Sequence, residues 1–559
     1  MSLQTPSKPF SPSRWGGSLS WPLVGWLVAG LVALPVLVVL GSVFADASEQ
    51  WSHLADTVLT QYVINSLLLM VGVGIGVCLI GISTAWLVTA CRFPGSRWFE
   101  WALLLPLAAP AYLLAYTYTE WLEYYGPVQT GLRTLFGWES ATDYWFPDVR
   151  SVGGAIAMLS LTLYPYVYML ARVAFLEQSR CALEASRSLG CGPWRSFFKV
   201  ALPLGRPAVM AGLSLALMET LNDFGTVQHF GVTTFTTGIY RTWFGMGERV
   251  AAAQLSAILM LFIFGLLLLE RWSRRKAQYY QTGSSQQISP YVLSGVRAPA
   301  ASLTCLLPIV LGLLLPAGLL LHMTLTHLED ALDNRFAELA YHSLLLAGLT
   351  GGVAILVALM LAYGARLNRS RVIQVGVRLA AMGYGIPGAV IAVGILIPVI
   401  RLDQLMARVA QTSLGISPGL LISGTITALI FAYLVRFLAV ALGTVESGLT
   451  KIRPSLDDAA RSLGCSPTRT LAKIHVPLMG SSLLTALMLV FVDVMKELPA
   501  TLVMRPFNFD TLAVRVYQYA SDERLVEASA PALMILVVGL LPVIALSRQI
   551  ARSQQGSGG

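Results

Sequence analysis

Charged residues are scarce in this chain. Of its 559 residues only 12% are Asp, Glu, Lys or Arg and 55% are hydrophobic, whereas soluble globular domains carry roughly 25% charged residues. The mean hydropathy is accordingly high, at +0.67. This composition excludes a soluble globular protein and predicts a polytopic membrane protein.

Signals for catalysis and for metal binding are also missing. The six cysteines form no Cys-x-x-Cys pair and the six histidines form no His-x-x-x-His pair, so the usual zinc-site spacings are absent. No Ser/His/Asp or Cys/His arrangement can be recognised either. We therefore predict a protein that has free thiols, no catalytic chemistry, no tightly bound metal and no cofactor of its own.

A nucleotide-binding loop is absent too. No Gly-Lys pair occurs, so the chain has no Gly-x-x-x-x-Gly-Lys-[Ser/Thr] loop to cradle phosphates. A transporter with this sequence therefore either uses a separate ATPase subunit or is an ion-driven secondary transporter. The net charge of +9 does not indicate a nucleic-acid partner, because Lys and Arg collect in the cytoplasmic loops of membrane proteins.

Twelve apolar runs are each long enough to span a bilayer, which takes about 20 residues. The first could be a signal peptide, but its apolar core exceeds the roughly 7–15 residues of such peptides, so we expect a retained span. With the N-terminus inside, most of the 38 Lys and Arg residues fall in cytoplasmic segments, and both termini are predicted to be cytoplasmic. The runs lie near 21–44, 61–90, 100–120, 151–175, 207–226, 251–271, 300–322, 339–365, 379–400, 417–443, 481–504 and 526–547.

The chain contains an internal repeat. Residues 183–204 read LEASRSLGCGPWRSFFKVALPL and residues 457–478 read DDAARSLGCSPTRTLAKIHVPL. The two segments align at an offset of 274 with 11 identities in 22 positions. Six predicted spans separate the copies, so both loops face the same side of the membrane and the two halves are parallel repeats.

The repeat also divides the chain. A Gln-, Ser- and Gly-rich stretch between the copies has the composition of a flexible linker. We predict a first transmembrane repeat at 1–271 with a loop at 176–206, a cytoplasmic linker at 272–298, and a second repeat at 299–559 with a loop at 444–480. The expected fold class is an all-α polytopic membrane protein with about twelve transmembrane helices in two parallel six-helix repeats.

Each repeated loop has the local chemistry of two short helices with a bend. Glu184 and Arg187 are spaced at i,i+3, where they can pair on the first helix. Gly190 can take the left-handed conformation that ends this helix. Pro203 and its counterpart Pro477 are expected to end the second helix before the chain returns to the membrane.

Three interpretations of the loops compete. A simple connection does not explain why the sequence was kept twice. The second copy also fits a DNA-binding helix-turn-helix, but a unit held between membrane spans could not lie in a major groove. A docking element for a cytoplasmic partner with two equivalent sites explains the duplication, and we favour it.

The loops resemble the E-A-A-x(3)-G-x(9)-I-x-L-P signature of the permease subunits of ABC importers. The stretches at 222–244 and 496–533 further resemble the fused, twelve-span ferric-iron permease family. Mild departures from the signature occur at Ser186, Val200, Asp458 and Val476. Matches occur at Glu184, Ala185, Gly190, Leu202 and Pro203 and again at Ala459, Ala460, Gly464, Ile474 and Pro477.

This resemblance implies a type I ABC importer permease in the bacterial plasma (inner) membrane. Its implied partners are the lipid bilayer, an extracytoplasmic substrate-binding protein and a homodimeric cytoplasmic ATPase subunit that uses ATP-Mg. The implied cargo is ferric iron, although related fused permeases carry thiamine or other small solutes. The residues implied in ATPase coupling are Glu184, Ala185, Arg187, Gly190, Pro203, Asp458, Ala459, Arg461, Gly464 and Pro477.

Ionisable residues inside spans are the best indicators of a translocation path. Such residues in the fifth and eleventh spans are related by the repeat, and each set has the i,i+3,i+4 spacing of one helix face. We expect Asp493 and Lys496 to pair, yet four carboxylates exceed what this pair needs. Ferric iron, a hard cation, prefers the oxygen donors that carboxylates and tyrosines offer. The predicted path residues are Glu219, Asn222, Asp223, Asp493, Lys496, Glu497, Tyr164 and Tyr166.

Overall fold

The structure is a computed structural model that describes residues 20–45, 49–177, 186, 190–275, 291–332, 335–368, 370–415, 419 and 421–555. Most of these residues are helical. The strands in the described part are Cys91–Arg92 and Tyr291–Val292, which form one short parallel pair. The predicted all-α membrane fold is therefore confirmed.

The helices that correspond to the twelve predicted spans are named α1 to α12. They are α1 Ser20–Gly41, α2 Thr60–Ala90, α3 Ala111–Leu122, α4 Val152–Glu177, α5 Leu202–Asn222, α6 Arg249–Arg275, α7 Arg297–Thr326, α8 Phe336–Leu367, α9 Gly388–Leu414, α10 Ile426–Thr450, α11 Gly480–Met495 and α12 Leu525–Gln555. Shorter helices are Glu49–Leu54, Ser96–Ala102, Pro127–Phe136, Pro193–Ser196, Gly225–His229, Phe235–Tyr240, Leu328–Ala331, Arg371–Ala380, Pro454–Ser462, Pro467–Thr470, Val476–Leu478, Pro499–Met504 and Leu512–Ser521. Turns of 3-10 helix lie at Ser42–Phe44, Leu105–Ala108 and Ala381–Gly385, and π turns lie at Ala55–Leu59, Phe197–Ala201, Arg241–Gly245, Val310–Leu314 and Leu471–His475.

Within the described ranges, ten helices are long and apolar enough to cross a membrane. Two bent pairs would bring the number to twelve if each is one span. These pairs are Ser96–Ala108 with Ala111–Phe136, bent by 87°, and Pro467–Leu478 with Gly480–Met495, bent by 80°. The range of ten to twelve agrees with the twelve spans read from the sequence.

The tenth span lies farther along the chain than predicted. The apolar composition of 417–443 indicates a span there, but α10 begins only after Gly424, whose φ is 79°. A residue in this left-handed conformation cannot continue a right-handed helix. Because α10 then runs on to Thr450, the first residues of the predicted loop 444–480 are helical.

The same packing occurs in both halves. In the first half α2, α4 and α5 pack on one another, and in the second half α8, α10 and α11 do the same. The first helix of each half crosses to the other half, because α1 packs against α8 and α9 while α7 packs against α2, α3 and α4. At Gly394 of α9 a Cβ would lie 2.5 Å from the Pro35 carbonyl oxygen of α1. This close approach requires glycine and interlocks the two halves.

The third and ninth spans break at equivalent places. In each, a 3-10 turn is followed by an extended proline, Pro110 or Pro387, that precedes the first residue of α3 or α9. Proline suits this position because its φ is fixed near −65° and it has no N–H to satisfy. The predicted spans at 100–120 and 379–400 are therefore each interrupted at a proline.

The fifth and eleventh spans also break at equivalent places. The helix α5 ends at Asn222 and a short helix resumes at Gly225, while α11 ends at Met495 and a short helix resumes at Pro499. Asp223 and Glu497 thus lie beyond the helix ends, in the breaks themselves. The i,i+3,i+4 helix face predicted for these residues does not exist as a continuous face.

Some predictions fall outside the described residues. Glu184, Ala185 and Arg187 of the first repeated loop are among them, as is most of the linker 272–298. The division of the chain at this linker therefore stays a prediction.

Candidate functional site

The four breaks meet at one cavity between the two halves. Its volume is about 110 Å³, which is room for several waters, since one needs roughly 10–15 Å³ on this measure. Discontinuous helices that meet inside the membrane are a recurrent way to build a transport site. The charged side chains that line the cavity are Glu219, Asp223, Asp493, Glu497, Arg436 and Lys496.

The cavity lining is acidic. Its four carboxylates and two cationic groups give a formal charge of −2. Within the part of the chain that the structure describes, no group of three or more His, Cys, Asp or Glu side chains is placed to hold a metal ion. The cavity thus presents an excess of negative charge to a cation, with no ready-made coordination cage.

Both cations of the cavity are engaged by carboxylates. The Arg436 guanidinium on α10 contacts Glu497 at 2.7 Å and, across the interface between the halves, Glu219 at 3.9 Å. Lys496 contacts Asp493 at 2.9 Å, so the predicted pairing of these two residues is confirmed. Because Glu219 and Glu497 come from different halves, one guanidinium links the two repeats.

Polar side chains also satisfy the backbone at the breaks. The Asp223 carboxylate accepts a hydrogen bond from the backbone N–H four residues later, at 3.1 Å, and Glu497 accepts one from the N–H three residues later, at 3.0 Å. The Asn222 side-chain oxygen accepts one from the N–H of Gly388 at the start of α9, at 2.9 Å. Each predicted polar residue at a break therefore has a structural partner as well as a place at the cavity.

The tyrosines divide between two faces of α4. Tyr166 lines the cavity and is hydrogen-bonded to Tyr384 of the other half. Tyr164 is completely buried and does not belong to the cavity lining, so its assignment to the path is corrected here. Residues two apart on a helix point about 200° apart, which is why both tyrosines cannot face the cavity.

Three of the side chains that line the cavity, one arginine and two tyrosines, are not among the path residues predicted from the sequence. Arg436 is one, although an arginine inside a predicted span is itself a signal of function. Tyr384 and Tyr112 are the others. Both lie near the proline-linked breaks, and no spacing in the sequence relates them to the fifth and eleventh spans.

The two repeated loops share a backbone conformation. Gly190 and Gly464 both have φ of 75°, as predicted. In each copy the backbone N–H of the cysteine after this glycine donates a hydrogen bond of 3.0 Å to the carbonyl oxygen of the residue four positions before the glycine. In the second copy Arg461 contacts Asp458 at 3.7 Å, the i,i+3 pairing that the first copy also predicts. The repeat in sequence is therefore a repeat in local structure.

The loops differ where they return to the membrane. In the first copy the helix is continuous from Trp194 to Asn222, so Pro203 does not end it and that prediction is wrong. Proline at this position is tolerated because a π turn precedes it and already interrupts the regular hydrogen bonding. In the second copy the chain bends by 80° just after Pro477, as predicted.

The second loop is also tied to the membrane helices. Asp457 lies in the first helix of this loop. Its carboxylate accepts a hydrogen bond from Arg366 of α8 at 2.9 Å and one from the fully buried His475 at 2.6 Å. At the offset of 274 the first loop has Leu183 and Ala201 in place of the acid and the histidine. The first loop therefore lacks the residues for this anchor.

Two interlocked, parallel helical repeats around a polar cavity are the architecture of a membrane transport protein. The chain belongs to the family described as "Binding-protein-dependent transport system inner membrane component", which matches residues 14–278 and 354–555. It is thus the permease component of a binding-protein-dependent ABC importer and not an enzyme. Such a system also contains an ATPase and a substrate-binding protein.

Individual relatives match most of the chain or about a third of it. The Fe(3+)-transport system permease protein FbpB 2 of Haemophilus influenzae is 26% identical over 87% of this chain and 89% of its own. The putative ferric transport system permease protein FbpB 1 of the same organism is 23% identical over 88% and 78%. The molybdenum transport system permease protein ModB of Escherichia coli is 31% identical over 35% of this chain and 84% of its own.

Proposed function

We propose that the chain conducts ferric iron across the bacterial inner membrane. The observation that supports this cargo is the acidic cavity, whose formal charge of −2 attracts a cation. Carboxylate and phenol oxygens are the donors that a hard cation such as Fe³⁺ prefers. Two relatives that span most of the chain are named for ferric iron.

An oxyanion is the cargo class that competes with ferric iron. ModB, which matches 35% of the chain, is named for molybdenum. An oxyanion in this cavity would face four carboxylates, and like charges repel strongly where the effective dielectric constant is low. The charge of the cavity therefore favours a cation.

We also propose two protein partners. One is a separate ATPase of two identical subunits, which uses ATP-Mg and docks on the two repeated loops. The other is an extracytoplasmic protein that delivers the cargo. Both loops support this docking because each presents an exposed apolar side chain. Trp194 of the first copy is 72% exposed, and Leu463 of the second copy is 84% exposed. Large exposed apolar groups on both loops offer contact area to a partner. Their equal backbone conformation suits a partner with two equivalent sites.

The identity of the cargo is tested by removing the charge of two carboxylates that line the cavity. In the native host the chromosomal gene is replaced by one that carries Asp223→Asn and Glu497→Gln, both of which keep a hydrogen-bond acceptor for the backbone N–H. Uptake of radioactive iron into intact cells is expected to fall by about tenfold or more, because charge–charge energies of about 4 kcal/mol are available in such a site. Glu446→Gln, on the same helix as Arg436 but exposed and outside the cavity, is the matched control.

Both protein level and uptake are read. Iron uptake that is unchanged in the double variant, at wild-type protein level, would rule out passage of ferric iron through this cavity. Molybdate uptake that depends on the chain would instead assign an anionic cargo. A fall in protein level that parallels the fall in uptake would assign the two carboxylates to folding.

Orientation is proposed as well, with both termini in the cytoplasm. A cysteine-labelling tag at Gly137 should react with an impermeant reagent in intact cells, whereas a tag in the 272–298 linker should react only after permeabilisation. The predicted outside segment 227–250 is largely buried, so its tag belongs at Met246, which is 52% exposed. Labelling of the linker in intact cells would overturn this orientation.

A further inference from the structure

Arg436 is placed like a bound cation. Its side chain is only 6% exposed, and its guanidinium lies between the Glu497 carboxylate at 2.7 Å and the Glu219 carboxylate at 3.9 Å. The first of these distances is that of a charge-assisted hydrogen bond. Two acids from different halves of the protein thus converge on one positive group.

A third oxygen is available at the same place. Tyr112, which is 5% exposed, lines the cavity, and its hydroxyl has no hydrogen-bond partner among the described residues. Buried hydroxyl groups normally have one. The hydroxyl is near enough to Asp223 and Glu497 for their charges to act on it. An unsatisfied buried oxygen in a cavity lined by four carboxylates points to a ligand with positive charge.

We propose that Arg436 is a tethered cation that occupies the cargo-binding position formed by Glu219, Glu497 and Tyr112, and that the cargo cation replaces its guanidinium during transport. This inference rests on the proposed passage of a cation through the cavity. It assigns the ligand class, a hard cation that oxygen atoms coordinate, and it assigns Arg436 as the residue that competes with that ligand.

Such a competitor has a physical purpose. Without a positive group, Glu219 and Glu497 would leave two carboxylates uncompensated inside the membrane, which is costly. The guanidinium neutralises them between transport cycles and also fills the position that other cations could take. Because Glu219 lies in the first half and Arg436 in the second, separation of the halves would break their contact, leaving the guanidinium on Glu497 alone and the Glu219 carboxylate open to the cargo.

The test measures cation binding to the purified full-length chain in detergent. The probe is Tb³⁺, a hard trivalent cation whose luminescence is sensitised by nearby tyrosines such as Tyr112. Arg436→Met removes the competitor and is expected to bind Tb³⁺ at least about tenfold more tightly than the wild-type chain. Arg436→Lys keeps a positive charge and should bind like the wild type.

Two further variants complete the design. Arg172→Met is the matched control, because Arg172 is also buried and paired with an acid, Glu100 at 2.8 Å, but lies outside the cavity. It should leave Tb³⁺ binding unchanged. Adding Glu497→Gln to Arg436→Met should abolish the gain in affinity.

Several outcomes would overturn the proposal. One is an Arg436→Met chain that elutes as a single species but binds Tb³⁺ no more tightly than the wild type. Another is an equal gain in Arg172→Met. If Arg436→Met does not fold, Arg436→Gln, which keeps hydrogen-bond donors, replaces it. Failure of both to fold would assign Arg436 to the fold alone.

The result is separable from the cargo test. If the wild-type chain supports iron uptake but Arg436→Met gains no Tb³⁺ site, the tethered-cation inference fails and the ferric function stands. If Arg436→Met gains the site while the wild-type chain imports no iron, the cavity is a cation site and the proposed ferric function fails.

Discussion

The left-handed glycines of the two loops give the sharpest test of coupling. A Cβ added at Gly190 or Gly464 would meet no atom of the described residues within 4 Å, yet φ is 75° at both. A substitution therefore meets no steric clash with the described part of the chain, and its effect comes from the backbone conformation. For an ordinary L-residue this conformation costs roughly 1–2 kcal/mol, which changes an equilibrium by a factor of about 5–30.

If the backbone conformation is what matters, the variants should rank in coupling in an order that side-chain size does not predict. Asn tolerates the left-handed conformation better than Ala or Val does, so Gly464→Asn should retain more coupling than Gly464→Ala, and Gly464→Val should retain least. The same order is expected at Gly190. The assay compares iron uptake with protein level in the native host, and the loss for Ala should be about fivefold or more at a normal protein level.

Gly137 supplies the matched control. It has φ of 70°, it also has nothing within 4 Å of an added Cβ, and it ends the helix Pro127–Phe136 far from the repeated loops in the sequence. Gly137→Ala carries the same backbone cost and should leave coupling intact. If coupling instead falls with side-chain volume, so that Asn is worse than Ala, the loop acts through a tight contact with the ATPase, and the conformational argument is refuted.

Two further predictions concern stability, measured as the apparent melting temperature of the purified chain in detergent. A Cβ at Gly383 would overlap a backbone carbonyl of α10, whereas one at Gly443 would meet no described atom within 4 Å. Gly383→Ala should therefore lower the melting temperature strongly, and Gly443→Ala should not. Equal effects of the two substitutions would contradict this packing. Asp457→Asn weakens the hydrogen bond to the buried His475 and should lower the free energy of unfolding by about 1–3 kcal/mol. Asp458→Asn, at a side chain that is 72% exposed, should change the stability little. A larger effect at Asp458 than at Asp457 would refute the role of Asp457 as an anchor.

Span number and the twin loops were predictable from the sequence because each depends on local composition or on a direct repeat. The bend at Gly464 follows from one residue whose conformational range is known. The breaks before α3 and α9 had a signal as well, since the residue before a proline is rarely helical. Apolar composition locates these spans but does not show where their helices break.

The arrangement at the cavity could not be predicted in the same way. Arg436 and Glu497 are 61 residues apart in the sequence, and no repeat relates them, because residue 162, which lies 274 positions before Arg436, is a threonine. The contact depends on how α10 is turned relative to the break after α11. Hydrophobic periodicity gives the buried face of a helix but not the partner of one polar group on that face.

The breaks separate what the fold needs from what transport needs. A broken helix exposes backbone N–H groups that must find acceptors inside the membrane, and Asp223, Glu497 and Asn222 each supply one. Asn222 does so without a charge, which shows that an amide oxygen is sufficient for this role. The negative charges of Asp223 and Glu497 are therefore not explained by the hydrogen bonds they accept. Because these charges are costly inside a membrane, and because Arg436 and Lys496 do not compensate all four carboxylates of the cavity, the remaining negative charge is best explained by a positively charged cargo.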